Sequence, residues 1–535
     1  MKPAALQTTL VILVAAAWKI VFFFWDVVPF NSDEAVVALM ARHILQGDLP
    51  VFFYGQAYMG SLDAFLVAAG FAVFGEQVWV IRLVQLLLWL GTLGVVIALG
   101  RELFGATRTG LIAAALLAFP TVNVMLYTTA SLGGYGEALL IGSVLLLIAA
   151  VIVNRYIMAP GKRLPWGLML LWGVLAGGGL WANGLTLVFS APAGLYVLWA
   201  LWNCRRDWLG GFILAGGLGL LAGALPWVGY AAANGPEALL RELFGSAVSV
   251  EQAPFLLRTF NHLVNFLLLG ATALFGLRPP WAVTWLALPL LPFALGFWLV
   301  VVAFFIRGAT RPNPHRQGFA LLGGVCAVLL AGFLFTSFGV DPSGRYFLPL
   351  SIPLALAAAQ MVQLPSLKRW QAVGLVALVV VFQFWGTMQS ALRYPPGLTT
   401  QFYEPTIIDH GYDEALIAFL QAQGETRGYS NYWVSYPIAF RSQEQVIFIP
   451  RLPYHLDLRY TPRDDRYAPY TEMVETSERV AYITTRNPAL DAHLVEQFRA
   501  LGVTWEETQI GDFHVYYRLS RAVRPQDIGL GDLRE

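Results

Sequence analysis

The chain predicts a polytopic α-helical membrane protein of eleven to thirteen transmembrane helices, followed by a small extracytoplasmic α/β domain. Three observations carry that prediction. Of 535 residues, 57% are hydrophobic and only 13% charged, where a soluble chain carries about 25% charged residues. Apolar runs near the roughly 20 residues that a helix needs to cross the hydrocarbon core recur from residue 6 to residue 390. Beyond Ser390 prolines, charges and tyrosines rise, and no apolar run reaches that length.

In chain order the expected spans are 6–25, 78–100, 109–128, 134–154, 166–182, 184–202, 208–232, 281–306, 317–337, 345–363 and 370–390. The first is read as a retained span, because it lacks a small-residue cleavage site and an acidic loop follows it directly. Loop charge fixes the parity. With Lys2 cytoplasmic, the basic clusters at 101–108, 155–163, 205–206, 307–316 and 368–369 all fall inside. A lone crossing by 61–75 would invert every later loop. Runs 61–75 and 259–277 are therefore read as outer-face or re-entrant helices, or as a pair of crossings in a thirteen-span bundle. The same parity puts 391–535 outside.

That last region reads as α/β. Tyr412 to Gln423 and Leu490 to Leu501 have helical periodicity, the second ending at Gly502. Gly428 to Val434, Gln445 to Ile449, Val480 to Thr484 and Phe513 to Tyr517 are aromatic or β-branched runs of strand length.

Other classes find little support. A net charge of +1 gives no pull toward nucleic acid. Two cysteines, Cys204 and Cys326, cannot make a disulfide framework. The seven histidines include no pair at metal-ligand spacing. No metal is assigned; the alternative is a divalent cation beside Asp33 and Glu34.

The loop after the first span carries the chemistry. Asp33 and Glu34 are adjacent carboxylates just beyond a membrane span, an expensive place for charge unless it is used or paired. A carboxylate there suits a general base that takes the proton of an acceptor hydroxyl. It also suits a plain helix start, since Asn31-Ser32-Asp33-Glu34 opens the helix Ala35 to Leu45 and acids are favoured in a first turn. That helix has apolar positions at Val36, Leu39, Met40 and Ile44 and is expected flat on the outer interface. Arg42 and His43 are expected on its solvated polar face. In the next outer loop, Gly133-Gly134-Tyr135-Gly136-Glu137 brings a second acid to a span start.

Together these motifs make a resemblance. Asp33-Glu34-Ala35, Gly47-Asp48-x-Pro50, Tyr54-Gly55-Gln56-x-Tyr58-x-Gly60, Phe74-Gly75, Arg82-Leu83, Arg101-x-Leu103-Phe104-Gly105 and Gly344-Arg345-Tyr346-Phe347-Leu348-Pro349 follow in order. The series resembles the GT-C fold glycosyltransferases, specifically the bacterial branch of the protein O-mannosyltransferase and aminoarabinose transferase superfamily. The resemblance covers residues 1–390. It implies a transmembrane GT-C domain over 1–390, whose first outer loop, 26–77, is catalytic, and a soluble domain over 391–535. It also implies inverting transfer of a sugar from a polyprenyl-phosphate donor to an acceptor protein, lipid or glycan on the outer face. Asp33 matches the family's base and Glu34 the second acid of its Asp-Glu pair; Glu137 matches an acid of the second loop. Where aminoarabinose transferases place a lysine, four residues before the glycine equivalent to Gly60, this chain has Gln56.

The donor phosphate therefore needs another partner. Arg345, at the outer end of its span, is the first candidate, with Gln56, Tyr58 and Tyr54 as polar contacts and Arg258 and His262 behind them. Arg345 has a plainer reading as the ion-pair partner of Asp341. Two other functions remain beside transfer: a transporter or flippase of lipid-linked sugars, and a glycan polymerase or ligase.

Overall fold

The computed structural model describes residues 3–245, 253–393 and 397–530. The chain condenses into two units. One comprises residues 1–28, 58–63 and 81–398, and the other comprises 29–57, 64–80 and 399–535.

The first unit is helical. Pro3–Phe24, Val78–Phe104, Tyr135–Ile152, Leu187–Cys204, Leu291–Thr310, Arg316–Phe335 and Arg369–Arg393 are its long members. Among the described residues seven helices are long and apolar enough to cross a membrane, or eight if the bent pair Arg206–Gly223 and Leu225–Asn234 is one span. Leu62–Phe74, Thr107–Ala118 and Trp166–Ala182 are apolar but shorter.

Several of the expected eleven to thirteen spans are shorter or broken helices for local reasons. Expected span 109–128 ends as a helix at Ala118, and Thr121 caps a new six-residue helix just beyond Pro120. Expected span 345–363 is a 3₁₀ turn, Arg345–Leu350, with Pro349 inside it, followed by the helix Ser351–Met361. Expected span 281–306 is one of the seven, but it starts only at Leu291, after a proline-rich approach. In each, a missing N–H or a fixed proline φ breaks the helical ladder. Run 259–277 is likewise interrupted, as Phe255–Asn265, a π-turn Phe266–Gly270 and Ala271–Leu274.

Helices Trp166–Ala182 and Leu209–Gly223 touch backbone to backbone. A Cβ on Gly177 would lie 2.1 Å from the carbonyl oxygen of Leu220, and one on Gly223 2.1 Å from that of Val174. Small residues at such a seam replace the hydrophobic drive that helices lack in lipid.

The second unit joins the loop after the first long helix to the C-terminal region. Helix Ser32–Gln46 starts three residues before the expected Ala35; Asn31 caps it, its side-chain oxygen accepting from Asp33 N at 3.1 Å. Gly47, at φ 110°, closes the helix in the left-handed region that glycine tolerates. The helix packs on Tyr432–Arg441, with Phe30 and Phe71 5.6 and 6.1 Å from the Phe440 ring.

Two short strands, β1 Phe52–Phe53 and β2 Gln56–Gly60, follow that helix. A five-stranded sheet is built from β3 Arg427–Ser430, β4 Ile447–Pro450, β5 Ala481–Thr485, β6 Glu506–Ile510 and β7 Phe513–Tyr517, in the order β4-β3-β5-β7-β6. β3 runs parallel to β4 and β5, while β7 is antiparallel to β5 and β6. β4 and β5 are buried along their whole length, as a helix-covered parallel sheet requires. Leu416, Leu420, Ile438, Phe448, Ile483 and Phe513 form the core between sheet and helices.

Candidate functional site

Asp33 sits in the first turn of helix Ser32–Gln46, held there by the Asn31 cap. Its carboxylate faces two donors. The Tyr432 hydroxyl donates to Oδ1 at 2.7 Å, and the Thr400 hydroxyl makes a long 3.4 Å contact with Oδ2. Tyr432 is brought there by its own helix start: Asn431 caps Tyr432–Arg441, accepting from Trp433 N at 3.0 Å. Asn431 is tied to the sheet in turn, donating to Thr485 at 2.7 Å. Ser32 donates its hydroxyl to the Tyr432 carbonyl.

Charge surrounds this contact. The Arg466 guanidinium lies 5.3 Å from the centre of the Tyr432 ring and donates to the Gly55 carbonyl at 3.2 Å. Asp464 is buried; burial pushes its carboxyl up to about 7, with the Asp33 charge adding to the rise and Arg466 opposing it. Burial, and after it the Asp33 charge, raises the Tyr432 phenol well above its usual range, so it stays a donor. Glu34 is fully buried.

Tyr54 joins a second cluster in the same unit. Its hydroxyl is 3.0 Å from His43 Nδ1, and its ring stacks on Tyr467 at 4.8 Å. His43 Nε2 meets Glu444 at 3.0 Å, and Tyr470 donates to the same carboxylate at 2.6 Å. Arg42 reaches Glu76 at 2.7 Å and Glu444 at 3.5 Å. The expectation of a solvated Arg42–His43 face is therefore wrong: both are buried, because helix Tyr432–Arg441 covers that side of the loop helix. Gln56 is half-buried at the start of β2.

The first unit carries two other constellations. Tyr58, Tyr135 and Tyr346 line a largely apolar cavity of about 320 Å³ with Asn183, Leu329 and Phe333. Arg345 is half-exposed beside it in sequence, pairs with Asp341 and stacks over the Tyr346 ring at 5.1 Å. The plainer reading of Arg345 thus exists in the fold. Its Nε, however, is buried with no hydrogen-bond acceptor among the described residues.

Glu137 faces Asp63, and both are buried. Asp63 accepts from Gln85 at 3.0 Å, Ser131 at 2.6 Å and Gly134 N at 3.3 Å, whereas neither carboxylate oxygen of Glu137 meets a donor among the described residues. Of the remaining candidates, His262 is buried with Nδ1 3.0 Å from the Leu334 carbonyl, and Arg258 stacks on Phe255 at 5.6 Å. Among the described residues no three acidic, histidine or cysteine side chains group as a metal site.

Sequence reasoning missed Tyr432, Asp464, Arg466 and the pairing role of Asp63. Ser430-Asn431 before Tyr432 is a helix-cap signal and was legible. Arg466 and Asp464 lie in a polar stretch without periodicity, where nothing marks them.

No described protein family matches the chain, and no curated protein sequence does. Solved structures match over most of its length. ArnT from Cupriavidus metallidurans bound to undecaprenyl phosphate aligns over 94% of this chain and 97% of its own, at 14% identity and a TM-score of 0.58. The apo state of that protein aligns over 95% and 98%, at 13% identity and a TM-score of 0.62. The oligosaccharyltransferase of Archaeoglobus fulgidus aligns over 90% of this chain and 69% of its own, at 12% identity and a TM-score of 0.57. At such identities the likeness speaks for architecture, and it covers the membrane part and the C-terminal α/β part alike. The chain has the GT-C fold of these membrane proteins.

Proposed function

We propose that the protein is an inverting glycosyltransferase that moves a sugar from a polyprenyl-phosphate-sugar to an acceptor hydroxyl on the outer face of the membrane. The observation that carries this reading is the Asp33 carboxylate, fixed in a first helical turn by a 2.7 Å hydrogen bond, in a chain with the fold of a protein seen with bound undecaprenyl phosphate. In the proposed step the acceptor oxygen attacks the anomeric carbon and its proton passes to Asp33. The bond from that carbon to the phosphate oxygen breaks, and polyprenyl phosphate leaves with the electron pair. Attack opposite the leaving group inverts the centre.

Arg345 is assigned to the donor phosphate. Its unpartnered Nε supports this, because a guanidinium binds phosphate through more than one N–H. Tyr58 and the apolar cavity are assigned to the donor's sugar-proximal and lipid parts, Tyr54 and Gln56 to polar contacts, and Glu34 to orienting Asp33. The basic residues of the loops support a cytoplasmic N-terminus and an outer position for residues 391–535. The burial of His262 argues against a direct phosphate role for it.

The test is release of undecaprenyl phosphate by the protein in lipid nanodiscs. The donors are undecaprenyl phosphate carrying glucose, mannose, galactose or 4-amino-arabinose, and a membrane extract supplies acceptors. Release that disappears in Asp33→Asn supports the proposal. Movement of intact donor across vesicles without any release identifies a flippase instead.

A further inference from the structure

We propose that Tyr432 and Arg466 are positioning residues for Asp33, so that the C-terminal segment supplies part of the catalytic apparatus as well as a fold. The inference rests on the reading of Asp33 as the base.

A carboxylate acting as a base needs a fixed orientation and one oxygen left open. The two Asp33 oxygens are treated unequally. Oδ1 is occupied by the Tyr432 hydroxyl at 2.7 Å. Among the described residues Oδ2 has only the 3.4 Å contact from Thr400, which is at the edge of hydrogen bonding. The arrangement pins the carboxyl by one oxygen and offers the other to an acceptor hydroxyl.

Tyr432 is a donor that cannot drift. Its backbone is fixed from both sides, by Ser32 on its carbonyl and by the Asn431 cap tied to Thr485. Arg466 covers its ring. Arg466 is itself held at two points: its backbone N–H donates to the Tyr436 hydroxyl at 2.6 Å, and its guanidinium donates to Gly55 O at 3.2 Å. Among the described residues, the titratable and charged groups coupled to this carboxylate include Tyr432, Tyr454, Asp464 and Arg466, with Glu34 next in the chain. Arg466 is the only cation among them. It offsets two acidic groups, Asp33 and Asp464, that would otherwise repel one another.

A purely structural Tyr432 would dock one helix on another and nothing more. Tyr432→Phe separates the two roles, since it keeps the ring and removes the hydroxyl. The experiment uses the full chain in nanodiscs with the same undecaprenyl-phosphate sugars. A hydrogen bond to a charged group changes rates about ten- to hundredfold, so kcat should fall by that factor. KM for the lipid donor and the melting temperature should stay as in the wild type, and Arg466→Gln should lower kcat in the same way. Infrared difference spectra give a second readout that needs no turnover: the carboxylate stretch lost in Asp33→Asn should shift in Tyr432→Phe.

A well-folded Tyr432→Phe with an unmoved band overturns the proposal, as does a rise in KM with kcat intact. Should Tyr432→Phe not fold, 2,3,5-trifluorotyrosine at position 432 keeps the shape and makes a stronger donor. The band should then shift the opposite way, and an unmoved band again overturns the proposal. If the wild type releases undecaprenyl phosphate from none of the donors, the transfer reading falls. The band shift alone then decides whether Tyr432 holds Asp33.

Discussion

Tyr432 donates its phenolic hydrogen to Asp33 across 399 residues of chain, at 2.7 Å. A loop next to the first span and a helix of the C-terminal region thereby share one hydrogen bond at the residue that carries the proposed chemistry.

Asp33→Asn removes the proposed base but keeps the shape and the Tyr432 contact. Loss of a general base costs about a hundred- to ten-thousandfold in rate. Undecaprenyl phosphate release should fall by that factor, while the melting temperature and donor binding, read by lipid retention on purification, stay unchanged.

Gly55→Ala should act through Arg466. Gly55 has φ +66°, and a Cβ there would lie 2.6 Å from Arg466 Cδ. The backbone strain alone costs about 1–3 kcal/mol. The variant should melt earlier and lose turnover together, which paired thermal and activity measurements would show.

Glu444 and Asp464 should bend the pH–stability curve in opposite senses. Burial pushes Glu444 up, but hydrogen bonds from His43 and Tyr470 and the charges of His43 and Arg42 outweigh it and hold the carboxyl at about 2. A depressed carboxyl stabilises above its ordinary range and loses that contribution as pH falls toward the folded value. Melting temperature should drop from about pH 4.5 to about pH 2, and Glu444→Gln should flatten the drop.

Asp464, raised to about 7, binds its proton more tightly in the folded state. Its effect is a loss of stability as pH rises from about 4 to about 7, which Asp464→Asn should abolish. Melting curves across pH for both variants check the pair.

Asp63 and Glu137 should differ sharply. Asp63→Ala strands the donors of Gln85, Ser131 and Gly134 in a buried site, at about 1–3 kcal/mol for each group left unsatisfied. Glu137→Gln instead gives Asp63 an amide partner. The first variant should melt well below the wild type in detergent, and the second at or above it. Retained turnover in Glu137→Gln would make Glu137 a structural acid.

The long apolar helices were legible because a 20-residue hydrophobic run has few other uses. Helix Ser32–Gln46 and strands β3, β4, β5 and β7 were legible from caps and from aromatic or β-branched runs. β6 was not: Glu506–Ile510 is a polar edge strand, visible only through its partner β7. Helix Tyr432–Arg441 hides behind an apparent strand, since Tyr432-Trp433-Val434 is β-like and Pro437 lies inside the helix. The acids of the first loop announced themselves by being charged beside a span. Their partners did not, because the contacts joining 33 to 432 and 43 to 444 depend on chain closure that no local pattern encodes.

The three stretches 29–57, 64–80 and 399–535 make one compact unit. On a ribosome adding about 5–20 residues per second, the loop that carries Asp33 waits roughly twenty to eighty seconds for the residues that complete it. During that interval the protein holds its acids without Tyr432 or Arg466. Biogenesis therefore imposes an order: the chain can enter the membrane long before this unit is complete, and a chain stopped short of residue 432 lacks the hydroxyl that pins Asp33.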